Sequence, residues 1–170
     1  MRHMKYFFFA LVFLGFCGLA NAQESTYVTS TDNQIMLKIP EGFSLMDLNE
    51  SGTLQYGNED KGIYILVLND TKEDIEGWNI KKHSIITLAK LLSAVNSPQI
   101  EGPMNLAVNG YQGIQFIVKG SVGGHLIVYY HTTFETPAAF SQVLVWTIPS
   151  QFDKNKNLMN SVISSFKSAK

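Results

Sequence analysis

The sequence predicts an α+β fold in which an antiparallel β-sheet is flanked by helices on both faces, an α/β/α sandwich. Three observations predict it. Residues 111–149 hold three consecutive apolar runs joined by short turns. Two of those runs, and another at 63–68, are apolar on both sides of the strand, which requires cover on both faces of a sheet. Two further segments carry apolar residues at helical spacing behind capping signals.

In the first of the three runs, Ile114, Phe116 and Val118 sit two apart with Gln115 and Lys119 between or after them, the alternation of a strand. Gly120-Ser121-Val122-Gly123-Gly124 supplies the positive φ angles a hairpin needs. The second run sets Leu126, Val128 and Tyr130 against His125, Ile127, Tyr129 and His131. The third, Val143 to Ile148, has almost no polar alternation and reads as an interior strand, with Trp146 shielded from water on both sides.

Residues 1–22 read as a secretory signal peptide: Arg2 and Lys5, an apolar run from Tyr6 to about Leu19, then the small-residue site Ala20-Asn21-Ala22. Cys17 follows the bulky Phe16, which argues against lipid attachment. Residues 23–170 then form one domain, exported to the periplasm or cell exterior, with no stable membrane anchor after cleavage. The single cysteine leaves with the signal, so neither a disulfide framework nor thiol chemistry remains. Two of the 13 basic residues leave as well, so 11 face 14 acidic ones and the net charge is −3. A mildly acidic chain without a basic run gives no footprint for nucleic acid.

In chain order, Tyr27–Thr29 and Ile35–Ile39 flank the turn cluster Thr31-Asp32-Asn33-Gln34 and read as a hairpin, ended at Pro40. Short strands follow at Leu54–Tyr56 and Ile63–Leu68. A helix is expected from a capping box at Thr71-Lys72-Glu73-Asp74, with Trp78, Ile85, Leu88, Ala89, Leu92 and Val95 as its apolar face. Asn96-Ser97-Pro98 stops it, and Pro103–Val108 is a further strand turning at Asn109-Gly110. A second capping box, Ser150-Gln151-Phe152-Asp153, opens a last helix with the stripe Phe152, Met159, Val162, Ile163 and Phe166.

This order resembles the PsbP-like fold family, shared by the photosystem subunit PsbP, the Ran-binding Mog proteins and several exported bacterial proteins. The likeness rests on an early strand followed by Pro40-Glu41-Gly42-Phe43 and on the mid-chain helix. It rests also on Asn109-Gly110 before a long hairpin and on a closing helix with Ser165-Phe166-Lys167, and it spans most of residues 27–167. The resemblance implies a sheet between helical layers. It also implies work as an assembly factor, docking subunit or binding partner, with no catalytic residue to carry over.

Motifs for catalysis are sparse. No G-x-S-x-G turn occurs, and the glycines at 120–124 lead into a strand and so lack the aligned amides of a phosphate loop. His125 and His131 share a strand face but lie about 20 Å apart, too far to hold one metal ion. They read as partly exposed strand residues. Asp47-Leu48-Asn49-Glu50-Ser51-Gly52 matches the first half of a calcium loop, making Asp47, Asn49 and Ser51 candidate ligands. The twelfth position is Asn58 where a bidentate glutamate belongs, so an ordinary polar loop is the favoured reading. No cofactor is expected.

Three functions are carried forward. The first is an exported, non-catalytic binding or assembly module with a protein partner in the envelope or outside the cell. The second is a carrier of a small apolar or amphipathic ligand, held where Tyr129, Tyr130 and Trp146 line a gap between sheet and helix. The third is a hydrolase assembled from distant loops, which no motif recommends.

Overall fold

The computed structural model describes residues 25–169. The signal-peptide expectation for 1–22 lies outside them. Ten strands and two helices follow one another. They are β1 (Ser25–Thr29), β2 (Ile35–Pro40), β3 (Ser44–Leu45), β4 (Leu54–Asn58) and β5 (Ile63–Thr71), then α1 (Ile80–Ser93). Next come β6 (Asn96–Val108), β7 (Tyr111–Val122), β8 (His125–Glu135), β9 (Ala139–Thr147), α2 (Pro149–Ile163) and β10 (Lys167–Ser168).

The large sheet has seven strands in the order β3-β4-β5-β9-β8-β7-β6, with every adjacent pair antiparallel. The 111–149 stretch forms its centre as expected. The β6–β7 and β7–β8 hairpins turn on Asn109-Gly110 and Gly123-Gly124, all four at positive φ, the primed geometry that matches strand twist. The first hairpin does not join this sheet. β1 and β2 pair with each other and with β10 in a separate three-stranded sheet.

Two apolar clusters hold the layers together. In one, Met159, Val162 and Ile163 of α2 meet Ile35, Leu37 and Ile39 of β2, and with them Ile63, Ile65, Tyr130, Phe134, Val143 and Val145 of the large sheet. Phe134 stacks on Phe166 at 4.1 Å between ring centroids. In the other, Leu88 of α1 meets Val95, Ile114, Phe116, Val118 and Tyr129. Neighbours in one strand divide between the clusters: Tyr129 enters the α1 cluster and Tyr130 the α2 cluster.

Four expectations need correction. The chain from Thr71 to Asp74 makes the capping-box contacts, Thr71 Oγ1 to Asp74 Oδ2 at 2.5 Å and Asp74 N to Thr71 Oγ1 at 3.2 Å, but it forms a turn. The helix begins at Ile80, where Asn79 accepts from the Lys82 amide. The last helix likewise starts one residue before Ser150, with Pro149 in its first turn and no side-chain cap. Its end is earlier too, since Lys167 belongs to β10. Finally, the strand expected at Pro103–Val108 is longer, since β6 already begins at Asn96, directly behind the helix stop.

Candidate binding site along the first helix

The inward face of α1 is polar. His83, Ser84, Thr87 and Leu88 are buried, whereas Ile85, assigned to the apolar face from its spacing, is 62% exposed. Two of its inward polar groups, His83 and Thr87, meet the sheet. His83 Nε2 lies 2.8 Å from Asp70 Oδ2, and its ring stacks on Phe140 and meets the Trp78 edge-on. The hydrogen bond with His83 holds the Asp70 carboxyl below the usual carboxylate range, helped by charge from His83 and Lys90 and opposed by burial.

Next along the helix, Thr87 donates its hydroxyl hydrogen to the His83 carbonyl at 2.9 Å. With that hydrogen committed, His131 Nε2, 3.1 Å away, is the donor in its contact with Thr87 Oγ1. The buried ring is neutral, and its Nδ1 has no partner among the described residues. Burial pushes it down to about 4. This corrects the expectation of a partly exposed histidine. His131 is fully buried beneath α1, and His125 at the hairpin tip is the exposed one. Sequence spacing alone missed His83 and Thr87. The signal available was a run of polar residues at i, i+1 and i+4 on a helix whose other side is lysine-rich.

Two openings flank α1. On the β6 side, Ile85, Pro103, Asn105, Ile114 and Phe116 line a mostly apolar groove of about 330 Å³, with Lys81 and Ser84 at its margin. On the β5–β9 side, Leu66, Asp70, Lys90, Leu91, Gln142 and Leu144 are among the residues around a cavity of about 440 Å³. Beside the groove, β6 is the terminal strand of the large sheet and mostly exposed along its 13 residues.

The candidate ligand gap does not form as expected. Trp146 is half-buried and packs against Tyr64 at 5.4 Å and Tyr129 at 5.5 Å, so rings fill the space. Tyr130 points into the α2 cluster, edge-on to Phe152, because its strand neighbour Tyr129 takes the other face. Burial raises both tyrosine hydroxyls above their usual range. The candidate calcium ligands also diverge. Asp47 borders a cavity beside β1, whereas Asn49 and Ser51 border the one beside Asp70. Asn49 Oδ1 already accepts the Ser51 amide, and Gln55 Oε1 closes the loop on the Leu48 and Asn49 amides.

No protein-family model matches the chain, and no curated protein matches it in sequence. Solved structures do. The cyanobacterial PsbP (CyanoP) of Synechocystis sp. PCC 6803 superposes with a TM-score of 0.64 at 13% identity, covering 91% of this chain and 98% of that one. LpqN of Mycobacterium tuberculosis, described as involved in cell envelope biogenesis, gives 0.62 at 15%, covering 87% and 92%. The Saccharomyces cerevisiae Ran-binding protein Mog1p gives 0.60 at 12%, covering 87% and 97%. At these identities the likeness is one of fold. With its antiparallel strands, its two helices and this set of structural neighbours, the chain has the PsbP-like fold.

Proposed function

We propose that this protein is an exported, non-catalytic binding module, one domain over residues 23–170, that docks a partner protein along the groove between α1 and β6. The observation that carries the reading is Ile85, a large apolar side chain held 62% open to water at the groove's rim. It sits beside a strand edge whose outward backbone groups are free to pair. The stretch Met104–Val108 keeps regular register with β7, so its outer edge is a straight template for an added strand.

Charge names the occupant. α1 carries Lys81, Lys82 and Lys90 and no acidic residue, and Lys81 borders the groove. An extended segment with an apolar side chain for the groove and carboxylates beside it is complementary. Two neighbours of the same fold are described as Ran-binding and as involved in envelope biogenesis, which supports a docking role. We also take α1 and α2 to lie on opposite faces of the large sheet, a reading supported by the way Tyr129 and Tyr130 divide between clusters. Export rests on the pattern of residues 1–22, and no helix among the described residues is long and apolar enough to cross a membrane.

A photo-crosslinker placed at position 85 in living cells tests the reading. It should trap one discrete adduct, recovered on a protein whose first residue is Gln23, and Lys81→Glu with Lys82→Glu should abolish the adduct. An adduct indifferent to both charge reversals, or none at all, contradicts the proposal.

A further inference from the structure

The cavity on the other flank of α1 has a different chemistry from the groove. Its apolar wall is leucine, from Leu66, Leu68, Leu91 and Leu144; its charged groups are Asp70 and Lys90, and Gln142 is one of several polar residues beside them. Gln142 is only 6% exposed, yet its carboxamide has no hydrogen-bond partner among the described residues. That carboxamide still reaches the cavity and can hydrogen-bond to a group entering it. Asp70 spends one oxygen on His83 and keeps the other free, with its side chain 46% exposed. Lys90 has no ion-pair partner among the described residues.

Opposite charges on one small rim select strongly. A cationic ligand on Asp70 faces the repulsion of Lys90, and an anionic ligand on Lys90 faces that of Asp70. A zwitterion meets both favourably. The cavity, about 440 Å³, falls within the range of small-molecule sites.

We propose that this cavity binds a small zwitterion with apolar side chains, of amino-acid to dipeptide size. The apolar part lies on the leucines, the ammonium on Asp70, the carboxylate on Lys90, and an amide or carbonyl group on Gln142. The site stands apart from the groove at Ile85, and neither proposal depends on the other.

Calorimetric titration of the purified protein with Leu-Leu, its N-acetyl form and its C-terminal amide tests this. Leu-Leu should bind at one site, and removal of either charge should weaken binding by at least about tenfold. Lys90→Ala, an exposed change, should lower Leu-Leu affinity by a similar factor and leave the amide form unaffected. Gln142→Leu should weaken all three. Asp70→Asn also removes the partner of His83, so Lys90→Ala is the deciding variant. Equal affinities for the three peptides, a Lys90→Ala protein that binds Leu-Leu as before, or no saturable binding by folded protein overturns the proposal.

Discussion

The two apolar clusters of the molecule are built by different rules. Around α2, buried polar groups mostly answer one another. Gln115 donates to Thr132 at 2.9 Å, and Asn155 donates to Thr147 at 3.0 Å and to the Lys61 carbonyl at 2.7 Å, amid Phe134, Val143, Val145 and Met159. Around α1 they do so only in part. His83 Nδ1, Ser84 Oγ, His131 Nδ1 and Thr133 Oγ1 are four of the six buried side-chain atoms without a partner among the described residues. Buried groups left unsatisfied cost stability, and this fold concentrates them on the α1 side, with Asn69 Oδ1 and Ser141 Oγ the two on the other. The α2 side is the more fully apolar of the two, and the α1 side carries more of the unsatisfied polar groups.

Substitutions on the two sides should behave accordingly. The largest effect belongs to the α2 cluster. Phe134→Ala removes a fully buried ring stacked on Phe166 and should cost about 3–5 kcal/mol in urea unfolding. A loss below about 1 kcal/mol would show that this side is not the anchor.

Next comes acid sensitivity on the α1 side. His131 is neutral in the fold with its pKa lowered from 6.5 to about 4, so the unfolded chain takes up its proton first as pH falls. Its contribution is whole above pH 6.5 and declines through that window to about 4, a loss of about 3 kcal/mol. Asp70, held below its ordinary value, works in the same direction further down, since a depressed carboxylate loses its contribution as pH falls through the folded value. His131→Phe should flatten the upper part of that decline in unfolding titrations. An unchanged slope would place the acid sensitivity elsewhere.

The smallest effect sharpens the contrast. Thr133→Val replaces an unpartnered buried hydroxyl with a methyl and should be neutral or stabilising by up to about 1 kcal/mol. Thr132→Val, one residue along the same strand, strips Gln115 of its acceptor and should destabilise by about 1–3 kcal/mol. Equal outcomes for the two would erase the distinction between the faces.

This division explains what the sequence disclosed. The α2 side was legible because its signals are apolar and periodic. Ile35, Leu37 and Ile39 alternate, and Met159, Val162 and Ile163 recur at helical spacing, all buried where the pattern placed them. The α1 side was not, because its buried face is His83, Ser84 and Thr87, residues that hydropathy sends outward, while Ile85 points to water. Thr71 and Asp74 misplaced the helix start because their capping contacts close a turn as readily as a helix. Asp70, Lys90 and Gln142 lie on β5, α1 and β9, and only the pairing of β5 with β9 brings them together. β3 and β10, two residues each, carry no period to read.

The claim that the α1 side is the working surface is tested most directly by two matched surface changes. Ile85 beside α1 is 62% exposed, and Leu126, which borders α2 at the β7–β8 hairpin, is 63% exposed. Each becomes lysine in turn, with unfolding checked to be unchanged, and the adduct trapped from a crosslinker at position 105 in the groove is quantified. Ile85→Lys should abolish the adduct while Leu126→Lys leaves it intact. Loss with Leu126→Lys and retention with Ile85→Lys would contradict the account.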